Sequence, residues 1–402
     1  MLRGLLLIFC ATTLFGANLL QEAIDGAQNG DVIRLKAGLY KGAIKIDKPI
    51  TIEGVEEGVI IDGGGEGTVV TINSSFVTLK NLTIVGSGDR HEKIDAGVLL
   101  EGVEQCEVSH CTIDDCLFGI DVIMTKNSII ANNTITSKKL DLGLRGDGIR
   151  LWYAHDNIIK ENRLIDSRDM VIWYSHGNEI LKNYSRGCRY SLHFMYAGKN
   201  LVEDNFYEQN SVGIFFMYSK DTIARNNTIR SSLGATGMGI GLQEISNFTI
   251  EGNTVIYCAQ GMYINRSPFE PESTNYILNN NILYNAEAIH FHSISEDNTF
   301  IGNTILGNID DIVNDSRGSR TSKNRFEHNY WDNYEGFDRD GDNVGDTSHR
   351  VYQYADQLWA YNPDVKYFYA SPVISLLNFL AKLAPFTEPI FLIEDPKPKI
   401  RG

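Results

Sequence analysis

Pairs of asparagines five residues apart, repeated along most of the chain, constrain this sequence more than any other feature. They read N-S-I-I-A-N at 127–132, N-I-I-K-E-N at 157–162, N-E-I-L-K-N at 178–183 and N-L-V-E-D-N at 200–205. The pairs continue as Asp221/Asn226, Asn275/Asn280 and Asn298/Asn303. A third polar position follows five residues further on, at Ser137, Ser167, Cys188, Asn210, Ser231, Asn285 and Asn308. A middle column running through Asn132, Asn162, Asn183, Asn205 and Asn226 to Asn324 has a base period of 21 to 22 residues, lengthened by insertions. A helical repeat needs apolar residues at i, i+3, i+4 and i+7 over ten or more residues, and residues 30–330 lack that pattern.

The period fits one turn of a parallel β-helix, in which three short strands make a rung and like turn positions stack on successive rungs. Composition agrees, with 44 Ile and 34 Asn but only 9 Pro, six of them beyond residue 360. Stacked Asn amides can hydrogen-bond along the axis while Ile and Val stack inside. Leucine-rich repeats share the period, but their L-x-x-L-x-L frame is missing. The expected fold is therefore all-β: a right-handed parallel β-helix over residues 18–335 with a non-repeat tail at 336–402. An amphipathic helix in N-L-L-Q-E-A-I-D-G, residues 18–26, is expected to cap the first rung, because an open sheet edge must be blunted.

Residues 1–17, M-L-R-G-L-L-L-I-F-C-A-T-T-L-F-G-A, combine one cation with a short apolar run and small residues, and read as a secretory signal peptide. A run of roughly 11 apolar residues is too short for a bilayer, which takes about 20. The expected location is outside the cytoplasm. A net charge of -15 disfavours nucleic acid as a partner, since phosphate binding draws on clustered cations.

Cys106, Cys111 and Cys116 resemble a metal cluster until the repeat places them in the three polar columns, where Cys188 and Cys258 also fall. All five then read as small residues in stacked turns. A second column is R-L-W-Y (150–153), V-I-W-Y (171–174), H-F-M-Y (193–196) and F-F-M-Y (215–218). Alternation groups Leu151, Ile172, Phe194 and Phe216 with Tyr153, Tyr174, Tyr196 and Tyr218 on one face. It leaves Trp152, Trp173, Met195 and Met217 outside, with Arg150 and His193 beside them. That stripe suits a protein partner, and His193, Met195 and Met217 with nearby His176 offer donors to a soft ion such as Cu(I). Coverage by loops is the competing reading, and aromatic stripes on β-helices also suit sugars.

Insertions at Gly86–Asp95, Ser137–Asp147 and Ser231–Met238 all follow the third column and should emerge along one edge. Beyond them, Asp338, Asp340, Asp342 and Asp346 alternate as hard oxygen donors for calcium, although the Gly and Glu positions of an EF-hand are not met. A metal-free acidic turn is the alternative. In the tail, Leu376, Leu377, Leu380 and Leu383 recur at helical spacing between Pro372 and Pro385. Docking on a transporter or a membrane interface competes there with packing on the last rung.

G-D-G-I-R-L-W-Y (146–153), the H-F-M-Y and F-F-M-Y rungs, and N-Y-W-D-N-Y-E-G-F-D-R-D-G-D-N-V-G-D (329–346) followed by H-R-V-Y-Q-Y-A-D-Q-L-W carry a resemblance. The chain resembles the NosD family, exported β-helical maturation proteins of nitrous-oxide reductase, over nearly all of its length after residue 17. The resemblance implies a periplasmic accessory protein rather than an enzyme, associated with the membrane through an ABC transporter. It implies a copper chaperone and the reductase as further partners, and transient copper. It carries no residue-level metal motif. The enzyme alternative is a carbohydrate-binding, polysaccharide-cleaving or epimerising β-helix, which needs paired carboxylates across a bond or an Asp–Arg groove. Adjacent Asp pairs on successive rungs are not evident; Asp147, Arg150, His155 and Asp156 come nearest. An adhesin would explain the repeats but not the tail.

Overall fold

Each turn is built from strands of three to six residues separated by sharp corners. A computed structural model describes residues 6–9, 18–233, 237–316, 321–353, 368, 371–383 and 389–400. Two units divide the chain, Met1–Ser211 and Val212–Gly402, and both are right-handed parallel β-helix. In the first unit, Ile129–Ala131, Ile158–Lys160, Glu179–Leu181 and Leu201–Glu203 stack in parallel as one sheet. Thr134–Ser137, Arg163–Ile165, Tyr184–Arg186 and Phe206–Glu208 form a second. Phe118–Ile123, Ile149–Trp152, Asp169–Trp173 and Tyr190–Met195 form the third. The second unit repeats the plan, with third-sheet strands Met238–Gln243, Gln260–Asn265, Glu287–His292 and Asp310–Asn314.

The corners explain the asparagines. A residue in left-handed conformation turns the chain, and the next residue points its side chain inward. Asn162 follows Glu161 at φ +56°. Its Oδ1 accepts from Asn133 N at 3.1 Å, and its Nδ2 donates to Ile130 O at 2.9 Å and to Asn183 Oδ1 at 3.0 Å. One side chain thereby satisfies backbone groups on the rung before it and couples to the rung after. The ladder runs Cys111, Asn133, Asn162, Asn183, Asn205 in the first unit and Asn227, Asn253, Asn280, Asn303, Asn329 in the second.

Six expected column members move. The ladder uses Asn133 and Asn227 where Asn132 and Asn226 were expected, because in each Asn-Asn pair the first residue takes the left-handed corner, at φ +57° and +55°. Asn tolerates that conformation better than most residues. Ser128, Thr222 and Ser232 replace Asn127, Asp221 and Ser231 by the same one-residue shift, and Asn127, Asp221 and Ser231 again hold positive φ. Asn324 belongs to the first column, where its Oδ1 accepts from Asn298 N.

Inside, Val108, Ile130, Ile159, Ile180 and Val202 stack as one fully buried column. Each contributes about 1.5–3 kcal/mol relative to exposure. The rungs of the third sheet approach too closely for a side chain at Gly119, where a Cβ would meet Gly148 O at 2.2 Å. All five described cysteines are buried and unpaired with one another. Burial pushes the Cys111, Cys116 and Cys188 thiols up to about 12, which makes them inert small residues of the corners.

The ends are closed differently. The helix Leu19–Gly26 is capped by Asn18, whose side chain accepts from Gln21 N, and buries Leu20, Ala23 and Ile24. Leu6–Phe9, within the stretch expected to be a signal peptide, pairs in parallel with Val32–Leu35. At the other end, the strand Ile390–Asp395 pairs antiparallel with His349–Gln353 and buries Leu392 and Ile393. Asp395 ends the ladder: its Oδ2 accepts from Asn329 N, Asn329 Nδ2 and Trp331 Nε1. Part of the non-repeat tail, Ile390–Asp395, therefore returns to cap the second unit.

Candidate functional site

The outward face of the third sheet in the first unit is aromatic at its edge and charged in its middle. Leu151, Ile172 and Phe194 are fully buried, so Trp152, Trp173 and Met195 do face outward, half-buried. The tyrosines do not share the inner face as alternation suggested. Tyr153, Tyr174 and Tyr196 sit at φ +51°, +50° and +53°, and this corner conformation breaks the strand alternation and turns them outward. Their rings stack in a ladder, 5.0 Å from Tyr153 to Tyr174 and 5.1 Å from Tyr174 to Tyr196. Trp152 closes on Tyr174 edge to face at 5.3 Å. The result is a rigid, partly exposed aromatic surface, assembled because each rung delivers the same corner at the same place.

Beside it, Arg150, Val171 and His193 occupy one outward column yet are nearly buried. Arg150 Nη1 binds Asp121 Oδ1 at 2.8 Å and its guanidinium lies 4.8 Å from the Trp152 ring. His193 lies under Tyr190, with ring centroids 4.7 Å apart, and burial holds its imidazole down at about 4, so it is neutral at pH 7. Phe215 and Met217 stand on the second unit's strand Val212–Met217, Phe215 buried and Met217 half-buried. His176 is not on the strand of His193 and Met195. It occupies a corner, where its ring stacks on His155 at 5.5 Å.

Sequence reasoning missed a carboxylate pair. Asp147 and Asp169 are fully buried on successive rungs, held by Arg168 and Arg189 respectively. Burial first, and then the neighbouring Asp169 charge, push the Asp147 carboxyl up to about 6 against the pull of Arg168. Asp147 and Asp169 lie one repeat apart with no insertion between them, but they are offset by one residue from the Ile149–Met170 register, so aligning equal columns does not match them. That insertion and the one before it do meet: His91 Nε2 lies 3.0 Å from Leu144 O, and Lys138 Nζ lies 3.0 Å from Asp89 Oδ1.

In the second unit, Asp338, Asp340 and Asp342 bring one carboxylate oxygen each within 4.8 Å of the others. Asp346 instead folds back to accept from Arg339 N at 2.8 Å. The tail helix forms as spaced, Pro372–Leu383, and Val373, Leu376, Leu377, Phe379, Leu380 and Leu383 are 40–67% exposed. Among the described residues no helix is long and apolar enough to cross a membrane.

The family model described as periplasmic copper-binding protein (NosD) matches residues 136–336, half of the chain. The chain belongs to the NosD family. A right-handed β-helix model matches residues 67–198. Two curated NosD relatives are named "Probable ABC transporter binding protein NosD". The one from Pseudomonas aeruginosa is 28% identical, covering 90% of this chain and 88% of its own. The one from Stutzerimonas stutzeri is 27% identical, covering 88% and 83%. Among solved structures, the A-module of mannuronan C-5 epimerase AlgE6 from Azotobacter vinelandii aligns at TM-score 0.53 and 15% identity, covering 73% of this chain and 90% of its own. A Yersinia enterocolitica family 28 exopolygalacturonase aligns at 0.55 and 12%, covering 74% and 75%. These two share the fold with this NosD chain.

The NosD description implies copper. Imidazole nitrogen and thioether sulfur are the soft donors that Cu(I) takes, and His193 and Met195 project outward from one strand of this NosD chain. Those two residues are of donor types that such an ion takes; His176, turned to His155, stands apart from that strand.

Proposed function

We propose that this chain is an exported accessory protein for assembly of the copper-sulfur centre of nitrous-oxide reductase. In this reading it is a docking platform between an ABC transporter, a copper chaperone and the apo-enzyme, and residues 1–17 are its signal peptide. The observation that carries the reading is the exposed apolar helix Pro372–Leu383 on a member of a family whose curated relatives are named for transporter binding. Six large apolar side chains left in water on one short helix are costly unless a partner covers them. The Trp152/Trp173/Met195 stripe with its tyrosine ladder supplies the second surface, facing the chaperone or the reductase. Of the soft donors, His193 and Met195 on the strand Tyr190–Met195 would receive Cu(I) there.

Anaerobic copurification from solubilised membranes tests both surfaces. Wild-type chain should bring down transporter subunits and reductase. The variant L376S/L377S/L380S/L383S should recover at least about tenfold less transporter, the scale of losing a hot-spot cluster. Ser at Trp152, Trp173, Met195 and Met217 should reduce chaperone or reductase recovery instead, with far-UV CD unchanged in both. Equal recovery from wild type and either variant removes that surface from the reading.

A second reading, a polysaccharide-cleaving or epimerising enzyme, is favoured by the raised Asp147 carboxyl beside Asp169. It requires those carboxylates to reach a sugar, whereas each is bound by an arginine. Depolymerisation of a polyuronate by wild type, lost in Asp147→Asn, would establish it.

Asp338, Asp340 and Asp342 are read as a calcium-stabilised turn, with Asp346 completing the loop. Millimolar Ca²⁺ should then raise the melting temperature by about 2–4 °C, a gain of roughly 1 kcal/mol in a unit this size. Asp340→Asn should abolish that shift. No shift in wild type leaves the loop a metal-free turn.

A further inference from the structure

The second unit carries a histidine–carboxylate cluster that the docking surfaces do not use. His290 and His292 lie two residues apart on the strand Glu287–His292, so alternation sends both to the outward face of the third sheet. Asp315 follows the strand of the next rung, Asp310–Asn314. The two imidazoles converge on its two oxygens. His292 Nδ1 is 2.8 Å from Oδ1, and His290 Nε2 is 3.2 Å from Oδ2. One donor atom from each of the three residues lies within 4.8 Å of the others.

Two further features separate this cluster from a chance meeting of charges. His290 is 2% exposed, and its Nε2 is buried facing Asp315 without a hydrogen-bond alignment to it. Its other nitrogen is held from behind: Nδ1 lies 2.5 Å from Glu287 Oε2, the oxygen that also accepts from Gln260 Nε2 at 2.8 Å. A carboxylate on Nδ1 fixes the tautomer that presents the Nε2 lone pair, the arrangement that orients metal-ligating histidines. Tyr263 packs across both rings, at 5.5 Å from His290 and 5.8 Å from His292.

We propose that His290 Nε2, His292 Nδ1 and the Asp315 carboxylate form a binding site for a divalent transition-metal ion of borderline softness, Zn²⁺ or Cu²⁺, with Glu287 orienting His290. Two imidazoles and a carboxylate, without thiolate or thioether, suit these ions rather than Cu(I). Three protein ligands on an outward face leave a coordination position for water or for a side chain of a partner. Without metal, the same nitrogens hold protons: the two carboxylates keep His290 up at about 9 despite its burial. Metal and proton therefore compete for Nε2.

The test uses the full chain, stripped with chelator and titrated separately with Zn²⁺ and Cu²⁺ by calorimetry, with metal analysis after desalting. Wild type should retain one equivalent of at least one of them. His290→Gln, His292→Gln and Asp315→Asn should each weaken binding at least about tenfold, and Glu287→Gln by about 10–100-fold, as loss of an orienting carboxylate does. His110→Asn, at a first-unit corner, should bind as wild type. His292 is the most exposed of the three, so its variant reports on binding even where a buried substitution disturbs folding. Absence of retained metal in wild type, or undiminished retention in all three ligand variants, overturns the site and leaves a closed ion-pair cluster. Either result is independent of whether the chain copurifies with a transporter.

Discussion

Replacing Asn133 with Ala should cost about 3 kcal/mol of stability, whereas Asn132→Gly, one residue earlier, should change it by less than about 1 kcal/mol. Asn133 Oδ1 accepts from Cys111 N at 2.9 Å, and its Nδ2 donates to Val108 O at 2.9 Å and Asn162 Oδ1 at 3.0 Å. Truncation leaves the buried Cys111 N–H without its acceptor and removes the bonds to Val108 O and Asn162 Oδ1; an orphaned buried donor costs about 1–3 kcal/mol and each further lost bond about 1 kcal/mol. Asn132 is exposed and holds φ +57°, a conformation Gly adopts freely. Urea unfolding followed by far-UV CD reads the difference as a lower midpoint for N133A alone. The reverse order of effects would restore Asn132 to the inner column. Because each rung touches mainly its neighbours, the loss should appear first as unfolding local to these rungs.

Acidification should destabilise the fold between about pH 6.5 and pH 4, by up to roughly 3 kcal/mol for each of two histidines. His193 and His349 are buried, and burial depresses both to about 4. Around His193, Asp169 favours the charged form while Arg189 and Arg168 oppose it; around His349, only Asp395 favours it. A depressed folded-state value means the stabilisation is present above the unfolded value and is lost as pH falls through the folded one. His290 behaves oppositely: its stabilisation is complete below about 6.5 and is lost as pH rises through about 9. Thermal melts from pH 4 to 9 should therefore show an acid limb, flattened by His193→Gln and His349→Gln and unaffected by His290→Gln. An acid limb unchanged in the double variant would assign it to carboxylates instead.

The acid limb connects to the candidate function. His193 sits beside the stripe proposed to receive copper, and a neutral imidazole is the form that can donate to a metal. Its burial keeps the neutral form above about pH 4.

The solenoid was legible because a periodic fold writes its period into the chain. Asn at five-residue steps and Ile between them identify strands, corners and columns, and the N-terminal capping helix followed from a single amphipathic segment. The spacing by itself could not resolve Asn-Asn pairs, since both residues suit a corner and only the backbone decides which takes positive φ. Nor could it send the tyrosines outward, because alternation holds only while the chain stays extended and each tyrosine lies at the bend.

The candidate sites divide along the same line. Trp152, Trp173 and Met195 were readable, since their strand and face follow from local alternation. The H-F-H of His290 to His292 was also local, but its third member Asp315 lies a full turn away, beyond an irregular rung. Asp147 with Asp169 depends on a one-residue offset between neighbouring rungs, and Asp395 at the end of the Asn ladder on where the returning tail brings a distant residue. The sequence alone determined the repeat and therefore the stacking of equivalent positions; tertiary structure alone decided which inequivalent residues meet, because insertions reset the register between rungs and only the folded backbone carries that count.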